Sequence, residues 1–392
     1  MNLSLYFKKF FKSNQSSGII LIFCVLTSLI IANSSAANSF QQFLDRELGF
    51  DLIHLRYPIS IWINDGLMTV FFLLVGLEIK RELIEGELSS FKNASLPIFA
   101  AIGGMLVPAL IYTLFNYGTE YSKGWGIPMA TDIAFSLAIV SMLGNRVPNS
   151  IKIFLAALAI VDDLGAILVI AIFYTEQIHW FYLLLSLGIS ILLFILNFFK
   201  VTKILFYIIP GIFLWYFLHH SGIHATIAGV ILAFSIPTNE SNVKISPLEK
   251  LENTLHFPVS FLIMPLFALT NTNISFGNDI MKGLTSTLGM GIITGLVLGK
   301  LIGINLFSYI AIRSKLSSLP QNSSWSHMLG VGLLAGIGFT MSIFIALLSF
   351  KEKIDIQDEA KFAILIASIS ASLIGYIVLY ISSKKEYEPE ED

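Results

Sequence analysis

The chain has 392 residues, of which 55% are hydrophobic and only 13% charged, about half the charged share of an ordinary soluble domain. So little charge cannot clothe a water-facing fold of this size, and most of the chain must face lipid. A balance of 24 Lys+Arg against 26 Asp+Glu excludes a nucleic-acid binder driven by net positive charge, and a single cysteine, Cys24, excludes a disulfide framework or a multi-cysteine metal site.

Crossing a hydrocarbon core takes about 20 apolar residues per helix. Twelve stretches qualify in chain order, at 17–33, 59–84, 95–117, 122–143, 150–174, 181–199, 204–218, 222–236, 254–271, 288–312, 327–350 and 361–382. Runs such as YLLLSLGISILLFILNFF are apolar all round, whereas barrel strands alternate. The expected fold class is therefore an all-α integral membrane protein, with one polytopic domain over 1–383 and a disordered acidic cytoplasmic tail over 384–392. The first stretch, with Lys8, Lys9 and Lys12 before it and IIANSSAANS at its end, also fits a cleaved signal peptide. Retention gives twelve spans with both termini on one side; cleavage gives eleven.

Basic residues orient the spans, because cytoplasmic loops carry the Lys/Arg excess. An inside N-terminus puts 16 of them on the inner side and 7 on the outer. Both termini are then cytoplasmic. Lys300, in the middle of the tenth span, belongs to neither side.

A midplane charge costs about 2.5–3.5 kcal/mol on insertion scales and marks function by default. Four lie near span centres: Asp132 in the fourth, Asp162 and Asp163 in the fifth, and Lys300 in the tenth. A buried structural ion pair between one Asp and Lys300 accounts for two of the four. The remaining negative charge calls for protons or a bound cation. Neighbouring helical residues point about 100° apart, so Asp162 and Asp163 diverge. Carboxylate and hydroxyl oxygens suit small hard cations, and Thr131 stands beside Asp132.

Two spans look broken. In the fourth, Gly124, Gly126 and Pro128 precede Thr131–Asp132, and proline lacks the N–H a continuous helix uses. In the eleventh, LLAGIGFTMSIF places Gly336 and Gly338 beside Thr340 and Ser342. Each broken span is the middle of a triplet, spans 3–5 and 10–12, and the two triplets run in opposite senses. Paired interrupted segments in inverted repeats point to a transporter's ion site. Half-helix ends carry partial charge, and Asp132 and Lys300 have the signs to offset it. Small residues every fourth position in the tenth span, Gly291, Gly295, Gly299 and Gly303, form a close-packing face beside Lys300.

Together WINDGLMTVFFLLVGLEIKREL, GWGIPMATDIAF, KIFLAALAIVDDLGA, SGIHATIAG, LGKLIG and GIGFTMSIFIA resemble the NhaA family of bacterial sodium/proton antiporters over nearly the whole chain. The resemblance implies an ion-translocating core of Thr131, Asp132, Asp162, Asp163 and Lys300. In it Asp163 is the main ligand of the transported Na⁺, joined by Asp162 and Thr131, and Asp162 pairs with Lys300. It implies a retained first helix, a supporting outer acid at Asp65, and a hairpin over 45–58 that helps form a homodimer. Glu78, Arg81 and Glu82 lie three and four residues apart on one helical face, and also fit an ordinary interfacial charge group. The resemblance makes them, with Glu252, a cytoplasmic funnel used in pH regulation. The chain departs from the family pattern at Glu249 and Asn253, where a basic residue and a histidine are expected. His224 matches the family motif, and a hydrogen-bonded packing role fits it as well.

The expected activity is electrogenic Na⁺(Li⁺)/H⁺ antiport in the bacterial inner membrane, with no cofactor and no enzymatic chemistry, and the resemblance implies two protons per sodium. No GxxxxGK[ST] run for nucleotide-driven transport is present. A sodium-coupled solute symporter shares midplane acids and broken helices and is the alternative. An intramembrane aspartyl protease needs two facing aspartates that share a proton, which adjacent Asp162 and Asp163 do not provide. A cation channel is disfavoured by a lysine in its core.

Overall fold

The computed structural model describes residues 14–175, 177–238, 246–276, 283–351 and 353–385. The acidic end of the chain, expected to be a disordered tail, lies almost wholly outside them. The chain is predominantly helical. In order come α1 (Asn14–Ala32), α2 (Ala37–Leu44), a hairpin of β1 (Glu47–Phe50) and β2 (Leu55–Pro58), α3 (Ile59–Ile84) and α4 (Phe91–Asn116). A 3-10 segment, Ser122–Met129, leads through an extended stretch to α5 (Ile133–Met142). Then follow α6 (Asn149–Phe173), α7 (Trp180–Phe198), α8 (Leu205–Ser221), α9 (Ile227–Ser235) and α10 (Pro247–Asn271). The last four are α11 (Thr287–Arg313), α12 (Trp325–Leu334), α13 (Phe339–Ser349) and α14 (Ile354–Lys385).

Eight of the described helical stretches are long and apolar enough to cross a membrane, and up to ten if each bent pair counts as one crossing. The bent pairs are α1–α2, turned by 114°, and α12–α13, turned by 45°. Lipid-facing character is plainest on α7, where only 11% of the apolar window is buried.

Several boundaries differ from the hydropathy reading, each for a local reason. The helix expected from 254 begins at Pro247, because Ser246 and Glu249 form a reciprocal capping box and proline occupies the first turn. Its opening residues are too polar to register as apolar. The helix expected from 95 starts at Phe91, where the Ser90 side chain accepts from Asn93 N. The stretch expected over 222–236 is helical only from Ile227; Gly222, at φ 87°, ends α8, and a turn intervenes. The last helix opens at Ile354 rather than 361. The one sheet among the described residues is the β1–β2 hairpin, antiparallel with Glu47 opposite Pro58 and Phe50 opposite Leu55.

The chain forms two compact units. One draws on the start of α1, Glu87–Ala166 and the chain from Ile274 onward; the other on Phe23–Gly86 and Ile167–Asn273. The second unit has its own apolar core, including Leu77, Tyr207, Leu214, Ala233 and Ile236. Lys80 reaches into the end of α9 there and donates to Phe234 O at 2.8 Å and Ile236 O at 2.5 Å. A cation is well placed on those terminal carbonyls.

In the first unit, α11 lies directly on α4. A Cβ on Gly303 would strike the Gly103 carbonyl oxygen and come within 3.0 Å of Val107 Cβ, and one on Gly299 would meet Pro108 Cα at 2.8 Å. The fourfold glycine spacing is therefore a contact face, and Lys300 sits one residue along from it. Adding a side chain forces the helices apart, at a cost of about 1–3 kcal/mol. Gly303→Val should accordingly lower the thermal midpoint of the detergent-solubilised protein. Gly188→Ala on α7, where nothing lies within 4 Å, should leave that midpoint unchanged or slightly raised.

Candidate functional site

Two interruptions of the helical backbone meet in the first unit. One is Ala130–Asp132, between the 3-10 segment and α5; the other spans Ala335–Gly338, between α12 and α13. An interrupted helix leaves backbone donors and acceptors without intrahelical partners, and here the partners come from the other interruption. Asp132 N donates to Ile337 O at 2.6 Å. The Thr131 hydroxyl lies 2.8 Å from Ala335 O. Thr340 N and Thr340 Oγ1 donate to Asp132 Oδ2 at 3.1 and 2.5 Å. Farther along, Ser342 Oγ donates to Ile127 O at 2.7 Å.

Glycine makes this approach possible. A Cβ on Gly336 would strike Leu296 O, and one on Gly338 would lie 2.8 Å from Leu296 Cδ2, so the α12–α13 turn rests on α11 only because both positions lack side chains.

Asp132 is the N-cap of α5, accepting from Phe135 N at 3.1 Å, and it also takes the Thr340 N–H from the start of α13. One carboxylate thus faces two helix N-termini, each carrying about half a positive charge. Thr131, its neighbour, points elsewhere. Lys300 Nζ donates to Thr131 Oγ1 at 3.0 Å and forms a buried ion pair with Asp162 Oδ2, which also lies 2.7 Å from Thr131 Oγ1. Asp163 follows Asp162 on α6 and is 1% exposed. Asp132, Asp162, Asp163, Lys300 and Thr131 are all at most 1% exposed.

Of the five residues singled out from the sequence, the structure joins Thr131, Asp162 and Lys300 directly and places Asp163 beside them. Asp132 is bound to Thr340 and the helix ends instead. Three carboxylates stand around one ammonium in this region, and the two helix N-termini offset one of them. The Asp162 Oδ1 atom, buried and accepting no hydrogen bond among the described residues, adds a hard oxygen suited to a small cation.

The other predicted residues lie in the second unit. Arg81 Nε reaches Glu252 Oε1 and Oε2 at 3.1 and 3.0 Å, and Arg81 Nη1 reaches Glu82 Oε1 at 2.8 Å, so one guanidinium bridges α3 and α10. Glu78 lies on α3 one turn before Arg81. Glu249 is held in the Ser246 capping box, Ser246 N donating to Glu249 Oε2 at 2.8 Å. The acid at this position thus serves the helix end. Asp65, in a π-turn of α3, lies 3.5 Å from His219 Nδ1 and 3.6 Å from His224 Nε2. His224 Nδ1 is 2.8 Å from Thr226 Oγ1. His219 had no signal in the sequence; its approach to Asp65, far away along the chain, follows from packing alone.

Helical spans with buried, paired charges at mutually satisfied chain breaks define a multi-pass membrane protein built around an internal ionic site. The chain belongs to the NhaA family of Na⁺/H⁺ antiporters, since the sequence model of the family "Na+/H+ antiporter 1" matches residues 8–379. It is 58% identical to "Na(+)/H(+) antiporter NhaA 2" of Flavobacterium johnsoniae, over 97% of this chain and 94% of that protein. It is 51% identical to the Na(+)/H(+) antiporter NhaA of Flavobacterium psychrophilum, over 97% of each chain. It is 50% identical to that of Dechloromonas aromatica, over 96% of each.

The Lys300–Asp162 pair has a measurable signature. Removing one partner of a buried pair leaves an uncompensated charge and costs about 3–5 kcal/mol, whereas replacing both with apolar groups is often neutral. Lys300→Met should depress the thermal midpoint strongly, and Lys300→Met with Asp162→Leu should recover most of the loss.

Proposed function

We propose that this chain is a Na⁺/H⁺ antiporter that exports Na⁺, and Li⁺, in exchange for protons, electrogenically and under pH control. It is read as a bacterial inner-membrane protein with both termini cytoplasmic. Twelve spans include two inverted triplets, spans 3–5 and 10–12, with the fourth and eleventh spans discontinuous. The observation that carries the activity is the excess of buried carboxylate over ammonium at the crossed chain breaks. Such a site must hold a counter-ion, and the family's shared activity names the two candidates, a proton and Na⁺.

In this reading Asp163 is the main Na⁺ ligand, with Asp162 and Thr131 contributing oxygens, and Asp132 stays with the helix ends. Protons entering from outside occupy the carboxylates and displace Na⁺ outward. After the site changes its side of access, the acids release protons to the cytoplasm and take Na⁺ again. Removing solvent disfavours charge on a carboxyl and on an amine alike, which makes Lys300 a candidate second proton carrier. Because two protons then move per sodium, the cycle moves net charge. An acidic cytoplasm keeps the acids protonated and suppresses exchange. Glu78, Arg81, Glu82 and Glu252 are read as the cytoplasmic funnel through which pH regulation acts. The exposed β1–β2 hairpin, with Phe50 73% and Leu52 93% exposed, supports a homodimer. A sodium-coupled solute symporter has no counterpart among the relatives named above.

Everted vesicles or proteoliposomes carrying a pH gradient test the activity. Adding Na⁺ or Li⁺ should dissipate the gradient, and a folded protein that gives no Na⁺-dependent proton movement across pH 6.5–9 would refute the reading. Asp163→Asn should abolish exchange while leaving the thermal midpoint near that of the wild type. Glu252→Gln should displace the pH dependence of exchange without lowering its maximal rate; an unchanged profile would remove Glu252 from regulation.

A further inference from the structure

We infer that Thr340 is a positioning residue for ion binding, holding Asp132 across the two chain breaks and, through them, fixing Thr131 at the Asp162–Lys300 pair. The inference rests on the antiporter reading and deepens it at the same site.

Asp132 Oδ2 takes two bonds from this single residue, from Thr340 Oγ1 at 2.5 Å and Thr340 N at 3.1 Å. Both residues are 1% exposed, so solvent has little access to substitute for a lost donor. The other side chains near the turn are committed elsewhere. Ser342 Oγ donates to Ile127 O, and Ser368 Oγ accepts from Phe339 N at 3.2 Å. Thr340 is therefore the side chain that ties the first turn of α13 to a carboxylate among the described residues.

The link to the ion pair is short. Thr131 is covalently next to Asp132, and its hydroxyl has two acceptors in reach, Asp162 Oδ2 at 2.7 Å and Ala335 O at 2.8 Å. A hydroxyl carries one proton, so it serves one acceptor at a time while Lys300 donates to its oxygen at 3.0 Å. Which acceptor it serves depends on where the Ala335–Thr340 turn stands relative to residues 131 and 132. The Thr340–Asp132 bonds set that distance, together with Asp132 N to Ile337 O at 2.6 Å. When the turn drifts, the Thr131 oxygen leaves the place where it joins the carboxylates in holding a cation. Affinity suffers before turnover does.

The test uses the full-length protein in proteoliposomes, reading Na⁺-driven proton movement for wild type, Thr340→Val, Thr340→Ser, Asp132→Asn and the Thr340→Val/Asp132→Asn pair. Thr340→Val, nearly the same shape without the hydroxyl, should raise the apparent KM for Na⁺ about tenfold, the scale of one hydrogen bond to a charged group, with maximal rate within about twofold. Thr340→Ser should restore the wild-type KM. In the Asp132→Asn background Thr340→Val should add little, because both act through one contact. A merely structural role would lower the maximal rate with the folded fraction and leave KM unchanged. An unchanged KM in Thr340→Val, or full additivity with Asp132→Asn, would overturn the inference. If Thr340→Val does not fold, Thr340→Cys, a weaker donor, decides: a raised KM at retained rate supports the role, and an unchanged KM refutes it. Na⁺ affinity by calorimetry on the same proteins separates the two claims. Wild-type Na⁺ binding without exchange defeats the antiporter reading alone, while an equal affinity in Thr340→Val defeats the positioning role.

Discussion

A helix that stops inside a low-dielectric region must place its terminal N–H and C=O groups somewhere, because each costs several kcal/mol if left unsatisfied. Here the Ala130–Asp132 and Ala335–Gly338 interruptions meet that demand for one another. Asp132 N reaches Ile337 O, Thr131 reaches Ala335 O, and Asp132 receives Thr340. Neither interruption is tenable alone. Their mutual dependence fixes where Thr131 and Asp132 stand, and so where the ionic site can be.

Around that crossing the charges fall into two arrangements. Asp132 answers helix N-termini, a compensation made with backbone dipoles rather than with a cation. Asp162 and Lys300 answer each other, with the Thr131 hydroxyl within hydrogen-bond distance of each. Lys300 can be placed so firmly because α11 lies against α4 through Gly299 on Pro108 and Gly303 on Gly103. Backbone contact holds the helix, and the helix holds the amine. The same economy appears where Gly336 and Gly338 let the α12–α13 turn rest on Leu296. Glycine in this protein serves close approach, and the approach positions charge.

Much of this was legible in the sequence. The apolar runs gave most helices to within a few residues, since hydropathy and span length are set by the same hydrocarbon thickness. Boundaries slipped where a polar signal governed, as at Ser246–Glu249, whose capping box starts α10 well before its apolar residues begin. The buried charges stood out because an ionisable group is costly in lipid unless it has a use, and the glycines because small residues at every fourth position mark a packing face. What the sequence withheld were partners. Thr131 and Asp132 are adjacent and read as one unit, yet the extended backbone at the break sends them to different neighbours. Thr340 was visible only as a polar residue near two glycines; that it binds Asp132 depends on two segments about 200 residues apart meeting. Periodicity cannot report such a meeting. His219, beside Asp65, escaped for the same reason.

The central claim is that Na⁺ and protons compete for the same buried carboxylates. Calorimetric titration of the purified protein with Na⁺, repeated in buffers of different ionisation enthalpy and at several pH values, measures that competition without transport. Na⁺ binding should release protons to the buffer, and its affinity should fall steadily as pH is lowered. Na⁺ binding of constant affinity across pH, with no protons released, would contradict it.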